Sequence, residues 1–281
     1  MRCRKVGTSW CCPAYSRRAH AGHEFYVRFG SLSCVASLVD FHESEHGSAL
    51  VLEYIRGQRL RRALLDSDIT ASPRRLRDLG DQLVKSLREL FTAGTDSALD
   101  AGNVASELMR IAKVLAVSGP NDTTPPSSEV VLNRALFVAH RPVLRRALDA
   151  RVAALAGRPC VCHGDLHLDN VLVTERGDVR FVDFGRWHCG SAVEDAGYVG
   201  TAFRAATGGL AALDVAMEAL LADVDVDVAA FRELQRLLRA TVDLNSRFRL
   251  DAKGTSVAAR FAFPFAMLGS LYRATWRQAW R

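Results

Sequence analysis

The stretch VCHGDLHLDNVLV, residues 161–173, contains two histidines, two aspartates and an asparagine within eight positions. Apolar residues on both sides predict short buried strands that lead into and out of this polar segment. Acidic and imidazole groups are costly to bury unless they are paired or have a function. The stretch therefore predicts a metal site, a proton-transfer site, or both.

The following residues extend this polar site. VLVT (171–174), the turn ERGD and VRFVDF (179–184) predict a β-hairpin that brings Asn170 and Asp183 close together. Their oxygen atoms suit Mg²⁺ that is held jointly with substrate phosphates. Asp165 would remain as a base or as an orienting carboxylate. This combination is the one that phosphoryl transfer requires.

The two motifs also carry a family resemblance. HGDLHLDN followed by VDFG resembles the aminoglycoside phosphotransferase and choline kinase-like family, small-molecule kinases that share the protein-kinase-like fold. The resemblance implies that Asp165 is the catalytic base, that Asn170 and Asp183 bind Mg²⁺, and that His163 braces the loop.

Two further residues follow from the same resemblance. His167 is typical of the small-molecule family, whereas protein Ser/Thr kinases usually carry lysine there, and we group it with the catalytic residues. Asp195, in EDAGYV, is expected to brace the loop from the start of a helix. Asp169 is assigned no role and is expected to be a solvated loop residue. The chain has no APE-like segment after Gly185, which also argues against a protein kinase.

The remaining patterns predict the fold class. Val- and Leu-rich runs at 36–43 and 48–55 predict two strands after a helix that ends near Gly30, and residues 1–9 could hold one more strand. After Gly57 the pattern is mainly helical. Ser72-Pro73 predicts a helix N-cap, leucines then recur at steps of three or four (76, 79, 83, 87 and 90), and 118–128 predicts a loop. We therefore predict an α+β, protein-kinase-like two-lobe fold. It would have a truncated, β-rich N-lobe (1–57) and a large helical C-lobe (58–281) that contains the hairpin.

The resemblance extends to the small lobe. VLEYIRG would be the hinge, where backbone groups around Glu53 and Ile55 meet adenine, and Glu24 would pair with a strand lysine. Lys5 is the candidate, because the next lysine is Lys85. Only four residues precede Lys5 and no GxGxxG occurs, so we expect the phosphate-covering hairpin to be missing.

The predicted function is an ATP- and Mg²⁺-dependent transfer of the γ-phosphate to a hydroxyl of a small molecule that resembles an aminoglycoside, choline or a sugar. The alternative is a pseudokinase or binding scaffold with impaired turnover. A metallophosphoesterase is disfavoured because no GNH motif follows GDLH. Residues that could contact a cationic acceptor are Trp187, Tyr198, Tyr272, Trp276 and 222–227.

The composition indicates which classes of partner the chain could bind. The net charge of +6 favours an anionic ligand such as a nucleotide. The arginines are spread along helices, which argues against nucleic acid. No long uncharged apolar run and no secretory signal is visible, so we expect no membrane span and a cytoplasmic location. Seven scattered cysteines indicate reduced thiols, and strand alternation makes Cys160 and Cys162 buried hydrophobes rather than zinc ligands.

Overall fold

The computed structural model describes residues 4–6, 9–14, 16–44, 47–66, 72–94, 101–118, 137–138, 141–142, 144–207, 211–236 and 238. The chain divides into two compact units. One comprises residues 1–100 and 156–228, and the other comprises 101–155 and 229–281. The first unit contains the sheets and the predicted catalytic, nucleotide-binding and metal-binding residues, whereas Tyr272 and Trp276 belong to the second.

An antiparallel sheet of four strands opens the first unit. The strands are β1 (Arg4–Val6), β2 (Ser9–Ala14), β3 (Leu38–Ser44) and β4 (Gly47–Glu53), in the spatial order β1-β2-β4-β3. The predictions for β1, β3 and β4 are confirmed. Strand β2 was not predicted because SWCCPA does not alternate and contains proline. Strand β1 pairs only with Ser9–Cys11 of β2. Pro13 lies beyond these residues and pairs with β4 alone, which is why proline is tolerated there.

Helix α1 (Ser16–Phe29) packs against this sheet and confirms the predicted helix. Its close approach depends on Gly22, where an added Cβ would lie 2.8 Å from Leu50 Cδ1. Phe25, Tyr26 and Phe29 are buried. The helix thus presents an aromatic face to the interior of the unit.

Two small antiparallel sheets surround the polar stretch. One has the order β5-β7-β8, from β5 (Gly57–Arg59), β7 (Val171–Thr174) and β8 (Val179–Phe181), and the other pairs β6 (Cys160–Cys162) with β9 (His188–Gly190). The predicted hairpin is β7–β8. Strand β5 approaches β7 so closely that a Cβ at Gly57 would lie 2.1 Å from the carbonyl oxygen of Val173.

Helices cover these sheets. The short α2 (Leu60–Ala63) precedes α3 (Pro73–Phe91), which begins at the predicted N-cap, where Ser72 Oγ accepts a hydrogen bond from the Arg75 N–H. All five periodic leucines of α3 are buried: Leu76, Leu79, Leu83, Leu87 and Leu90. Helix α3 packs on β6, β8 and α7 (Ala211–Ala222), and α6 (Ala192–Thr207) follows β9.

The second unit is helical where it is described. Helix α4 (Ala101–Ser118) buries one face, and α5 (Val152–Ala156) ends at the boundary between the units. Residues 228–236 are also helical. The predicted loop at 118–128 lies outside the described residues except for Ser118. None of the described helices is long and apolar enough to cross a membrane.

The elements give the predicted fold class, α+β with a two-lobe, kinase-like arrangement. The compact units divide the chain differently from the predicted lobes, and the lobe boundary at residue 57 stays a prediction.

Candidate active site

The polar stretch forms a tight loop between β6 and β7. Two backbone hydrogen bonds of 2.9 Å shape it, from the N–H of His167 to the carbonyl of Asp165 and from the N–H of Asn170 to the carbonyl of His167. Gly164 starts the loop at φ +75°, and a Cβ there would lie 2.3 Å from the carbonyl oxygen of Arg186. Only glycine fits this position without strain.

Asp195 holds the start of the loop. Its side chain is buried, and its carboxylate accepts hydrogen bonds from the backbone N–H groups of His163 (2.6 Å) and Gly164 (3.1 Å). Burial raises the pKa of the Asp195 carboxyl, whereas the His163 ring and backbone N–H favour the carboxylate. Asp195 therefore ties the first turn of α6 to the loop.

His163 connects the loop to the hairpin. Its Nδ1 accepts a hydrogen bond from the Asp165 N–H (3.3 Å), so its Nε2 carries the proton and donates to the carbonyl of Val182 (2.8 Å). The ring is completely buried, and burial lowers the pKa of His163. A neutral imidazole with both nitrogen atoms engaged fixes the position of Asp165 relative to the end of β8.

Asn170 and Asp165 are joined directly. The Asn170 side chain is buried, and its Nδ2 donates to the carbonyl oxygen of Asp165 at 2.9 Å. This bond leaves the amide oxygen of Asn170 as the atom that can bind a cation. The carbonyl of Asn170 also accepts from the N–H of Val182 at 3.0 Å, so the hairpin brings Asn170 beside the residue that precedes Asp183.

Asp183 has a strained backbone. Its φ of +68° lies in the left-handed region, which is uncommon for residues other than glycine and is concentrated at functional sites. The next residue, Phe184, is buried and stacks on Phe25 of α1 with ring centroids 3.6 Å apart. The carboxylate of Asp183 itself is exposed. Packing of Phe184 therefore holds the exposed carboxylate of Asp183 in an unusual backbone conformation.

Asp169 is a residue whose importance sequence reasoning missed. We expected a solvated loop residue, but its side chain is only 19% exposed and accepts a hydrogen bond from Arg61 Nε at 2.7 Å. Arg59 approaches the same carboxylate at 3.9 Å. The backbone N–H of Arg61 also bonds the carbonyl of Leu168 at 3.3 Å. The loop is thus anchored to α2, through a pairing that spans 108 positions and that no local pattern signals.

The small-lobe candidates are dispersed. Lys5 lies on β1, at the edge of the sheet, and its side chain lies outside the described residues. Glu24 is exposed on α1. Glu53, at the end of β4, accepts a hydrogen bond from Arg180 Nη1 of the hairpin at 3.2 Å. Within the described part of the chain, the backbone of Ile55 has no hydrogen-bond partner, as a nucleotide-binding hinge requires. The roles of these four residues stay predictions.

The other candidate side chains have structural contacts. His167 Nδ1 accepts from the Asp169 N–H at 3.2 Å, and its ring lies at the edge of the Tyr198 ring, which is buried. Trp187 donates from Nε1 to the carbonyl of Ala21 on α1 at 2.7 Å. Tyr272 and Trp276 lie outside the described residues. His167 therefore belongs to the loop's internal network as well as to the predicted site.

Comparisons with known proteins identify the family of the chain. The profile of a family described as phosphotransferase enzyme family matches residues 13–234, which is more than half of the chain. The chain belongs to the phosphotransferase enzyme family. The phosphotransferase matches no curated protein significantly at the sequence level.

Solved structures share the fold at low sequence identity. An aminoglycoside phosphotransferase from Alicyclobacillus acidocaldarius is 13% identical, with 99% of this chain and 92% of that chain covered and a TM-score of 0.53. A spectinomycin phosphotransferase in complex with AMP is 13% identical, with coverages of 92% and 83% and a TM-score of 0.53. An ethanolamine kinase from Plasmodium vivax is 10% identical, with coverages of 96% and 81% and a TM-score of 0.52. The family match indicates a phosphotransferase, and these structures show that its fold is shared with aminoglycoside phosphotransferases and an ethanolamine kinase.

Proposed function

We propose that the phosphotransferase transfers the γ-phosphoryl group of ATP, bound with Mg²⁺, to a hydroxyl group of a small molecule. The observation that carries the proposal is the junction of Asp165, Asn170 and Asp183. One 2.9 Å hydrogen bond joins the first two, and a 3.0 Å backbone bond places Asn170 beside the residue before Asp183. The AMP complex of the similar spectinomycin phosphotransferase supports a nucleotide as the donor.

The residues at this junction divide the reaction between them. Asp165 takes the proton of the substrate hydroxyl while the oxygen of that hydroxyl forms a bond to the γ-phosphorus. The bond from the γ-phosphorus to the leaving oxygen of ADP breaks in the same step. The amide oxygen of Asn170 and the carboxylate of Asp183 are hard ligands that fit Mg²⁺. When bound there, Mg²⁺ would neutralise the phosphate oxygens.

The hinge residues would bind the nucleotide base. The backbone groups of Ile55 lack hydrogen-bond partners within the described residues. The Glu53 side chain accepts a hydrogen bond from Arg180, which lies on strand β8. Adenine would therefore be fixed to the same hairpin that supports Asp183. Because both would be attached to one hairpin, the nucleotide base and the Asp183 carboxylate would stay at a fixed distance from each other.

The test is ADP release from ATP and Mg²⁺ with a panel of aminoglycosides, choline-like amines, sugars and hydroxylated amino acids. We expect turnover with at least one acceptor, and a loss of about 10²–10⁴-fold in Asp165→Ala, the range of general-base catalysis. Asp178→Ala, in the exposed turn between β7 and β8, is the matched control and should keep full activity. Equal rates for Asp165→Ala and the original protein, or no acceptor-dependent release, would refute the proposal.

One observation favours a second candidate, a nucleotide-binding scaffold with impaired turnover. Strand β2 directly precedes α1 and has no lysine in Ser9–Ala14, and Glu24 of α1 is exposed. The lysine–glutamate pair that positions phosphates in kinases would then be lacking. A scaffold would bind a fluorescent ATP analogue as tightly after Asp165→Ala as before and would release no ADP with any acceptor.

A further inference from the structure

Three side chains of the types that bind metals lie together beside the proposed catalytic loop, residues 163–170. The Sγ of Cys162, a ring nitrogen of His188 and a carboxylate oxygen of Glu194 lie within 4.8 Å of one another. Cys162 and Glu194 are fully or almost fully buried, and the His188 side chain is 30% exposed. Cys162 and His188 are direct cross-strand partners on β6 and β9, and Glu194 lies in the first turn of α6.

Both ring nitrogens of His188 face hydrogen-bond acceptors. Its Nδ1 lies 3.1 Å from the carbonyl oxygen of Arg186, and its Nε2 lies 2.8 Å from Glu194 Oε2. Both partners are acceptors, and a neutral ring has one proton, so it can satisfy only one of them. Either a second proton or a metal ion must therefore lie between the ring and the carboxylate.

Outer hydrogen bonds fix the orientation of His188 and Glu194, as is usual for metal ligands. The Nδ1–H of His188 donates to a backbone carbonyl, the common outer contact of a metal-binding histidine. The other carboxylate oxygen of Glu194 accepts from the Ser191 N–H at 3.0 Å. Gly190 leaves the required space, because a Cβ there would lie 2.8 Å from both Glu194 Oε1 and His188 Nε2.

The sequence predicted Cys162 to be a buried hydrophobe rather than a zinc ligand, but its Sγ lies within 4.8 Å of the ligand atoms of His188 and Glu194. The Cys162 thiol faces the His188–Glu194 pair, and its hydrogen-bond partner is the carbonyl of Ser191 at 3.3 Å. Cysteine sulfur, histidine nitrogen and carboxylate oxygen are each ligands that zinc binds in proteins. From the usual zinc–ligand bond lengths, tetrahedral ligand atoms lie about 3.5 Å apart, so shifts of about 1 Å would complete the geometry.

We propose that Cys162, His188 and Glu194 bind one Zn²⁺ ion that braces the base of the catalytic loop. Binding replaces the thiol proton of Cys162 and the Nε2 proton of His188, so two protons leave as the dication enters and the buried site stays neutral. Water or the Ser191 carbonyl oxygen completes the coordination. Cys162 precedes His163 and Glu194 precedes Asp195, so the ion would stiffen both residues that hold the loop.

The first experiment uses the full chain, expressed with zinc and then passed through a desalting column, with metal measured by mass spectrometry. We expect about one zinc per chain, as for structural zinc sites with high affinity. Replacement of zinc by Co²⁺ should give a thiolate-to-cobalt charge-transfer band in the near ultraviolet. Absence of zinc together with absence of this band would overturn the proposal.

Variants assign the ligands. Cys162→Ser and His188→Gln should each lose the zinc and the cobalt band. Cys34→Ser, the same change at another buried cysteine, should keep both. Zinc that persists in Cys162→Ser would overturn the proposal, and the Co²⁺ spectrum of the original protein decides the matter if a variant does not fold. Asp183→Asn removes the proposed magnesium site but should keep the zinc, so failure of the phosphotransfer proposal would leave this result intact.

Discussion

Asp195→Asn tests whether one buried carboxylate holds the catalytic loop. The carboxylate accepts two backbone N–H groups with its two oxygens, at 2.6 Å from His163 N and 3.1 Å from Gly164 N. An asparagine of the same shape offers one accepting oxygen and turns an NH₂ group towards the other donor. The substitution therefore leaves one buried N–H without a partner while it keeps the packing.

The magnitude follows from these contacts. A buried donor without a partner costs about 1–3 kcal/mol, and the loss of a charge-assisted bond adds to this cost. Burial raises the pKa of Asp195, which means that the charged form is costly to bury, and its removal offsets part of the loss. We expect the free energy of unfolding to fall by about 1–3 kcal/mol.

The assays are urea denaturation and amide hydrogen exchange read by mass spectrometry. If local opening follows the same free energy, exchange at His163 and Gly164 should accelerate by about 5- to 150-fold. Asp223→Asn is the matched control, since Asp223 is half exposed and pairs with Arg88 at 3.1 Å, and its loss should cost less than about 1 kcal/mol. Equal destabilisation by both substitutions, with unchanged exchange in the loop, would refute the assigned role of Asp195.

Two further predictions concern the anchor of the loop and a buried thiol. Arg61→Ala should lower the free energy of unfolding by about 1–3 kcal/mol because it breaks a partly buried 2.7 Å pair with Asp169. Arg59→Ala, whose side chain is 63% exposed and 3.9 Å away, should cost less than about 1 kcal/mol in the same urea assay, and equal costs would contradict the anchor. Burial, assisted by the charge of Glu89, raises the pKa of Cys34 to about 12, so its thiolate forms only as the pH rises towards that value. Iodoacetamide at pH 8 should therefore label Cys34 only as fast as the chain opens, as peptide mass spectrometry would show, and rapid labelling of the native protein would contradict this.

Long, strongly patterned elements could be predicted from the sequence. Helix α3 has a proline after an N-cap serine and leucines at steps of three or four, and each signal is local. Strands β2, β5 and β9 were missed because they are short and lack alternation. They exist because neighbouring strands offer hydrogen-bond partners, for example across the close approach of Gly57 to Val173.

The same distinction applies to the site. The proposed catalytic loop, residues 163–170, could be recognised in the sequence because its polar residues lie within eight consecutive positions. The partners that hold it are distant in sequence, with Arg61 108 positions from Asp169 and Asp195 32 positions from His163. No periodic pattern connects residues at such separations, so these contacts could not be predicted from one sequence.

The sequence by itself determined the family of this chain and supplied Asp165, Asn170 and Asp183, the residues proposed to carry out the chemistry, because these residues are written in two short motifs. Only the tertiary structure decided how these groups are held, because hydrogen bonds between distant segments form when the chain folds. It turned Asp169 from an expected surface residue into an anchor. It also turned Cys162 from an isolated buried thiol into one member of a cluster with His188 and Glu194.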